Sequence, residues 1–367
     1  MHINRVKLIN FRNYPQVEMK FSKGINLLYG YNAQGKTNII EAIYLSALGK
    51  SQRIARDSEM ILFGSEGYFV EIDLIKRDRS YKIEIGVNNK KEKRIKIAGR
   101  EIRKTGELLG KLIVVLFSPD ELKIVKESPY YRRRFIDILV CQLSTLYLFN
   151  LQKYYKIAAQ RNNLLKQIKK KRELEDTLDV WDREYVETAV LILKKRIEYL
   201  DRVKEKAEKI HEKLTEGREK LEITYKATFK DVSASIDQMS EKFMLALEQN
   251  RITDIEKGFT HIGPHRDDVI ININGKDAGK YGSQGQQRTV VLSLKLAELE
   301  VIKEEAGEYP VLLLDDVFSE LDEKRRRLLV EYIKDVQVFI TSTEKLDDSE
   351  FYEKINYYKV NDGKIED

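Results

Sequence analysis

Apolar and polar residues alternate with a period of two over much of the first hundred positions. His2 to Leu8, Val17 to Phe21, Tyr68 to Ile75, Ser80 to Val87 and Arg94 to Ile97 read as half-buried strands, with plausible turns at Asn88-Asn89 and Ala98-Gly99. Ile25 to Tyr29 is a short apolar run suited to a buried strand, and Asn38 to Leu45 carries apolar residues at helical spacing. Lys111 to Phe117 reads as a further buried strand, stopped by Ser118-Pro119. From Pro119 the period changes. Arg132 to Leu148 and Val180 to Leu214 place apolar residues at helical spacing with charges between them, and apart from Pro129 no proline interrupts the chain until Pro264. One strand, Glu222 to Thr228, is expected inside this helical stretch. After about residue 263 strands return: Val269 to Ile273 before the turn Asn274-Gly275, then Val311 to Leu314 and Gln337 to Thr341. The last two are continuously apolar, as strands buried on both faces are, and belong beside Ile25 to Tyr29 in one central sheet. The pattern therefore predicts an α/β fold split between residues 1–118 and 263–367, with an antiparallel meander in the first part and a mainly helical domain, 119–262, inserted between them.

Composition narrows the class only a little. Charged residues make up 34% of the 367 residues, but the net charge is only +6, so any nucleic-acid argument must rest on where charge is placed. A single cysteine, Cys141, excludes a disulfide framework within one chain and fits a reducing compartment. His261 and His265 have the spacing of metal ligands on a helix, yet Gly263-Pro264 between them opposes a helix. No apolar run approaches the roughly 20 residues of a membrane span. A soluble cytoplasmic protein without a membrane partner is expected.

The chemistry begins at Gly30-Tyr31-Asn32-Ala33-Gln34-Gly35-Lys36-Thr37, which fits the phosphate-loop pattern and lies between a predicted strand and a predicted helix. Glycines let backbone N–H groups turn towards phosphate oxygens, the helix N-terminus adds a positive dipole, Lys36 reaches the β- and γ-phosphates, and Thr37 holds Mg²⁺. Gly30, Asn32, Gln34, Gly35, Lys36, Thr37 and Asn38 are the expected nucleotide ligands, and Arg12 is a further candidate for phosphate contact. Val311 to Leu314 ends in Asp315-Asp316. A carboxylate at the end of a buried strand beside a phosphate loop is where Mg²⁺ finds its second anchor, so Asp315 takes that role and Asp316 is placed to orient or deprotonate the attacking water.

Ser283-Gln284-Gly285-Gln286-Gln287-Arg288 precedes an apolar helical run and forms either a plain helix cap or a second anion site. One nucleotide does not need two such loops from the same chain. Ser283, Gln284, Gly285 and Gln286 are therefore expected at the γ-phosphate of a nucleotide held by a second subunit.

Together with Ser319-Glu320-Leu321-Asp322, these stretches resemble the ATP-binding-cassette ATPases, in the branch of the SMC heads. In that family the serine-glycine loop is the signature motif, Ser-x-Leu-Asp is the D-loop, and two ATP molecules lie between facing heads. The chain resembles most specifically the RecF family of bacterial recombination mediators. Asn10-Phe11-Arg12-Asn13-Tyr14, the loop Asn32 to Asn38, Ser51 to Asp57, Phe117-Ser118-Pro119-Asp120, Ser128-Pro129, Arg132-Arg133, Gln160-Arg161-Asn162 and Gly263 to Asp268 carry that resemblance. It implies a homodimer formed on ATP, a weak Mg²⁺-dependent ATPase used as a switch, and binding to DNA at single-strand gaps or junctions. RecR and RecO would be its partners in loading RecA during repair, recombination and replication. Asp316 stands where relatives of the wider ATPase group most often have glutamate, Phe117-Ser118 where a glutamine is common, and Thr341-Ser342-Thr343 where many have a histidine; slow turnover suits all three. A transporter ATPase would carry its signature loop much closer to the phosphate loop. A nuclease-coupled ATPase would need an acidic metal-binding domain after Thr343, where few residues follow.

Charge placement supports DNA independently of the resemblance. Residues 121–172 hold thirteen Lys or Arg against three acids, the concentration that phosphate-tracking surfaces show. Arg132, Arg133, Arg134, Lys153, Lys156, Arg161, Lys169, Lys170 and Lys171 are the expected contacts. The second basic stretch, Lys90 to Lys104, lies in the first part of the chain and would extend the track.

Overall fold

Alternation in the first hundred residues resolves into strands that share one side of a common core. The computed structural model describes every residue except 55, 89, 230–234, 319–320, 347–350, 352–353 and 367. Two units are distinguished, one built from Met1–Glu121, Lys213–Gly217 and Val291–Asp367, the other from Leu122–Glu212 and Arg218–Val290.

The first unit opens with β1 (His2–Phe11), β2 (Tyr14–Lys20), β3 (Ile25–Tyr29) and α1 (Lys36–Leu48), followed by β4 (Tyr68–Lys76), β5 (Arg79–Val87), β6 (Lys93–Ile97), β7 (Arg100–Glu101) and β8 (Val114–Phe117). Six of these form an antiparallel sheet in the order β2-β1-β4-β5-β6-β7. Val6 and Leu8 pair with Ile72 and Val70 on its inner face, while Lys7, Glu18, Glu71 and Lys96 stand on the outer one, so the register puts most apolar positions of these strands inside and leaves Ile9 opposite Phe69 on the outer face. Arg5 on the outer face ion-pairs with Glu18 at 2.9 Å and Asp73 at 2.7 Å, and also with Glu71.

The second unit contains α2 (Lys123–Lys126), α3 (Pro129–Leu143), α4 (Thr145–Ile168), α5 (Leu178–Thr215) up to Glu212, β9 (Leu221–Lys226), α6 (Ile236–Lys257), β10 (Asp268–Ile273), β11 (Lys276–Asp277), α7 (Ala278–Tyr281) and the start of α8 (Gln284–Ala306). Pro129 sits at the first turn of α3 after Ser128, where its missing N–H costs nothing. Residues 263–290, expected with the ATPase half, belong to this unit instead. The reason is local pairing: β10 runs antiparallel to β9 from Asp268↔Lys226 to Ile273↔Leu221, in the three-stranded sheet β11-β10-β9.

Returning to the first unit, the chain adds β12 (Val311–Leu314), α9 (Glu323–Tyr332), β13 (Val338–Ser342), β14 (Asn356–Asn361) and β15 (Lys364–Glu366). The second sheet has the order β15-β14-β3-β13-β12-β8, with β14, β3, β13, β12 and β8 mutually parallel. β8, β12 and β13 are buried at every position, the burial their continuous apolar runs predict. α1 lies between the two sheets, since Ile39, Ile40 and Ile43 join Val70 and Ile72 of one and Leu28, Leu116 and Leu313 of the other in a single core. Among the described residues no helix is long and apolar enough to cross a membrane.

Candidate functional site

Strand β3 delivers the chain to the glycine loop at the carboxyl ends of the parallel strands, the edge at which open α/β sheets bind ligands. Gly30 has φ 145°, and a Cβ there would lie 2.3 Å from the Val360 carbonyl oxygen, so only glycine lets the loop leave β3 at this point. Gly35 caps α1 and accepts from the N–H groups of Asn38 and Ile39. Lys36 folds back over the loop, its Nζ donating to the carbonyls of Gly30 at 2.6 Å and Tyr31 at 2.8 Å. Burial lowers the Lys36 pKa, and Asp316 and Asp315 oppose that shift, so the ammonium is held in a partly desolvated place facing two carboxylates.

The two oxygen donors assigned to Mg²⁺ meet across 278 positions of sequence: Thr37 Oγ1 donates to Asp315 Oδ1 at 2.9 Å. Thr341, at the end of β13, completes the cluster by donating to the same Asp315 oxygen at 2.9 Å while accepting the Asp316 N–H at 2.9 Å. Burial raises the Asp315 pKa, and the hydroxyls of Thr37 and Thr341 partly counter it. A hydroxyl and a buried carboxylate in contact form the hard oxygen set that suits Mg²⁺, and a divalent cation would offset the cost of keeping Asp315 ionised. Asp316 takes a left-handed φ of 55°, an uncommon conformation for a residue with a side chain. In the sequence Thr341 stood only as the end of an apolar strand and, with Ser342 and Thr343, where many relatives have a histidine; nothing there signalled its bond to Asp315.

The β1–β2 turn packs against the loop from the other side. Asn13 Nδ2 donates to the Gln34 carbonyl at 2.8 Å, Asn38 Nδ2 donates to Asn13 Oδ1 at 2.8 Å, and the buried Tyr14 hydroxyl donates to the Gly35 carbonyl at 3.1 Å. Arg12 differs from expectation. Its Nε and Nη2 donate to the two carboxylate oxygens of the buried Glu41 at 2.8 and 2.7 Å, and Nη1 donates to the Glu59 carbonyl at 3.0 Å. Ser51 Oγ also donates to Glu41 and receives the N–H groups of Arg53 and Ile54. The Arg12 guanidinium is thus spent tying the turn to α1, because a carboxylate buried in a helix must be paired. Asn32 stands exposed at the loop tip beside Ala33, whose φ is 65°.

Ser283 to Gln286 lie in the second unit. Ser283 and Gln286 form a reciprocal cap at the start of α8: the Ser283 N–H donates to Gln286 Oε1 at 2.8 Å, and the Gln286 N–H to Ser283 Oγ at 3.2 Å. Gln286 Nε2 reaches Glu219 at 3.0 Å. Ser283, Gln284 and Gly285 are exposed. Of the downstream motif, Ser319 and Glu320 lie outside the described residues, while Asp322 caps α9 by accepting the Arg325 N–H.

The basic stretch of the second unit divides by exposure. Lys153 and Lys156 stand three apart on the open face of α4, and Lys169, Lys170 and Lys171 are exposed at its end, Lys169 donating to the Glu256 carbonyl at 3.0 Å. Arg132 is paired with Asp268 at 2.7 Å, Arg133 donates to the Asp267 carbonyl at 2.6 Å, and Arg134 reaches the Tyr130 hydroxyl at 3.4 Å, all three half-buried. Arg161 is not a surface cation. It is fully buried, with Nε on Asp182 at 2.7 Å and Nη1 on Asp254 and Thr260, both at 2.8 Å. Helical spacing alone did not separate it from Lys153 and Lys156; the carboxylates that hold it are distant in sequence. Among the tyrosines of this stretch, Tyr147 and Tyr154 are core residues, whereas Tyr130 and Tyr155 are exposed. In the first unit Lys90, Lys91, Arg94, Lys96, Arg100, Arg103 and Lys104 are exposed, and Lys93 turns in to Asp57 and the Gly49 carbonyl.

Comparison with known proteins gives the family of the chain. The family model described as the RecF/RecN/SMC N terminal domain matches residues 2–366. A DNA replication and repair protein RecF from Acetivibrio thermocellus is 47% identical over 359 residues, 97% of this chain and 96% of its own. A solved structure of the recombination mediator RecF with ATP, in the RecFOR pathway, superposes with a TM-score of 0.92 at 39% identity, covering 99% of this chain and 96% of that one. The head domain of Smc from Pyrococcus furiosus shares the fold, with a TM-score of 0.58 at 20% identity over 99% of this chain and 95% of its own. The chain belongs to the RecF family, within the RecF/RecN/SMC group of ATP-binding-cassette folds.

Proposed function

We propose that this chain is an ATP-dependent DNA-binding protein of recombinational repair and replication, a weak Mg²⁺-dependent ATPase that dimerises on ATP and releases DNA on hydrolysis. The observation that carries the reading is the contact of Thr37 with Asp315, the two residues we read as Mg²⁺ donors, next to the glycine loop and with Asp316 facing Lys36. Backbone N–H groups of the loop and Lys36 bind and orient the phosphates; Thr37 and Asp315 would hold the cation, which would supply neutralisation of phosphate charge. Asp316 orients the attacking water and accepts its proton. The exposed Ser283-Gln284-Gly285 segment at the start of α8 approaches the γ-phosphate held by a second copy, so that two nucleotides join two heads. Lys153, Lys156 and Lys169 to Lys171 supply cations for DNA phosphates, at single-strand gaps or junctions where RecR and RecO act with this family in loading RecA.

Sedimentation with and without Mg²⁺-ATP tests the dimer. The expected result is a monomer that doubles its mass on ATP, and a Ser283→Arg variant that binds ATP as a monomer and stays one. An unchanged mass for the wild-type chain with ATP bound overturns the shared-nucleotide reading. DNA binding to duplex, single-stranded and gapped substrates across salt tests the second half, with log affinity falling by about 0.9 per phosphate contact for each decade of salt.

A further inference from the structure

The hairpin β14–β15 touches the glycine loop in a way that the phosphate chemistry does not use. Its turn places the Asp362 N–H on Gln34 Oε1 at 2.6 Å and the Gly363 N–H on the Gln34 carbonyl at 3.1 Å. The same Gln34 carbonyl receives Asn13 Nδ2 at 2.8 Å. Gly363 is buried, with φ 68°, and a Cβ on it would lie 2.2 Å from the Asn13 carbonyl oxygen. One residue earlier than Asn361, Val360 closes against Gly30, where a Cβ would meet its carbonyl at 2.3 Å. The glycine loop is therefore gripped at its first glycine by β14, and at Gln34 by the hairpin turn and the β1–β2 turn together. Gln34 spends its side-chain oxygen and its carbonyl on this grip, which leaves the loop N–H groups as the part of the segment aimed elsewhere.

We propose that the Asp362-Gly363 turn and Asn13 form a clasp that sets the conformation of the phosphate loop, and that Gln34 is a positioning residue acting through that clasp, not a phosphate ligand. The proposal deepens the nucleotide reading and rests on it. A loop that must hold several backbone N–H groups towards one anion loses affinity when the segment is free to relax, because the ordering cost is then met on binding. The three N–H donors converging on Gln34 meet that cost in advance. The clasp also makes the last strands of the chain part of the nucleotide site, so that whatever displaces the hairpin lowers the affinity for nucleotide.

The test compares three variants with wild type by fluorescent-ATP titration, by the split between KM and kcat, and by hydrogen exchange of residues 30–36 without nucleotide. Gly363→Ala introduces a side chain into the closed turn; Gln34→Met keeps the length of the side chain and removes its acceptor. Gly275→Ala is the control, a hairpin glycine with φ 75° and open space around the would-be Cβ. The expected result is a rise of about tenfold or more in Kd and KM for Gly363→Ala and Gln34→Met, with kcat near wild type, faster exchange in 30–36, and thermal unfolding of Gln34→Met close to that of Gly275→Ala, Gly363→Ala unfolding lower because its Cβ meets the Asn13 carbonyl. The double variant should lose little more than either single one, since both open the same turn. Wild-type affinity and unchanged loop exchange in both variants overturn the clasp while leaving the ATP reading intact. A wild-type chain that binds no ATP overturns that reading and the clasp's role in affinity, whereas the exchange data still report whether the turn holds the loop.

Discussion

Replacing Arg161 by methionine separates a structural cation from a DNA contact. In the second unit the guanidinium is fully buried and joined to Asp182 and Asp254 at 2.7 and 2.8 Å. Removing it strands two buried carboxylates, a change that costs about 3–5 kcal/mol when no partner remains. Each carboxylate here keeps one partner, Asp182 the Arg251 guanidinium at 3.0 Å and Asp254 the His261 ring at 2.8 Å, so the lower end of that range applies. At about 2–4 °C per kcal/mol for a domain of this size, the second unit should unfold some 6–12 °C lower in calorimetry. DNA affinity measured well below that transition should keep its salt slope. Lys156→Ala is the counterpart: no change in unfolding temperature, and a slope smaller by about 0.9 if it contacts one phosphate. An Arg161→Met protein with wild-type unfolding and a weakened, less salt-sensitive grip on DNA would refute the assignment.

Asp315 carries a raised pKa in the fold because it is buried. For an acid the cost of ionisation is then fully present above the folded pKa and is relieved as pH falls through it. Asp315→Asn should accordingly raise the unfolding temperature at pH 7–8, with the gain shrinking towards pH 4, and should lose the extra stabilisation that Mg²⁺-ATP gives the wild-type chain; a variant less stable at every pH contradicts this. His265 is held at about 4, chiefly by burial and next by Arg266, with Nδ1 on the Tyr154 hydroxyl at 2.6 Å. The unfolded ring binds a proton near pH 6.5 and the folded one does not, so stability should be complete above that value and fall by up to about 1.4 kcal/mol per pH unit as pH drops towards 4. Acid titrations of the unfolding free energy should show the slope in wild type and a shallower one in His265→Asn. Asp316→Gly relieves the left-handed backbone at φ 55° and should gain up to about 1 kcal/mol of stability while ATP stays bound and turnover disappears, read by calorimetry and phosphate release.

Elements whose pattern is local were legible in the sequence. β3 and α1 around the glycine loop, β12 ending in Asp315, and the turn at Asn274-Gly275 all fall where periodicity and turn chemistry place them. What pairing decides over distance was not legible. Val269 to Ile273 was read correctly as a strand but grouped with residues 263–367, whereas it pairs with β9 in the second unit, because a short alternating pattern does not encode which edge it joins. The same limit separated the site residues. Lys36, Thr37 and Asp315 announce themselves by motif, whereas Thr341 acts through hydrogen bonds to Asp315 and Asp316, and Asn13 and Gly363 through hydrogen bonds to the Gln34 carbonyl, and these leave only a small polar side chain or a glycine in the sequence. Arg161 shows the reverse error, since a charge at helical spacing looks solvated until the carboxylates from α5 and α6 are seen to enclose it.

The nucleotide site is also the part of the first unit that depends most on distant contacts. Ile3 and Gln337 exchange two hydrogen bonds, Ile3 N–H to Oε1 at 2.6 Å and Nε2 to the Ile3 carbonyl at 2.7 Å, and Gln337 Nε2 also reaches the Ser22 carbonyl at 2.6 Å. β3 is flanked by β13 and β14, both from the last thirty residues of the chain. The loop that follows β3 is in turn bounded by Asn13 and by Gly363. Closing so long a loop has an entropic cost that no local contact offsets, so α1 and its glycine loop gain their final surroundings only when β12, β13 and the β14–β15 hairpin have joined the sheet. In contrast, α3 and α4 pack as sequence neighbours, and β10 turns into β11 across two residues. During synthesis the second unit can thus order before the first is complete, and the site acquires Asp315, Thr341 and the Gly363 turn last. A chain interrupted before β12 then carries an intact glycine motif but lacks its carboxylates, its Thr341 hydroxyl and its clasp, which is why the motif by itself is not yet a nucleotide site.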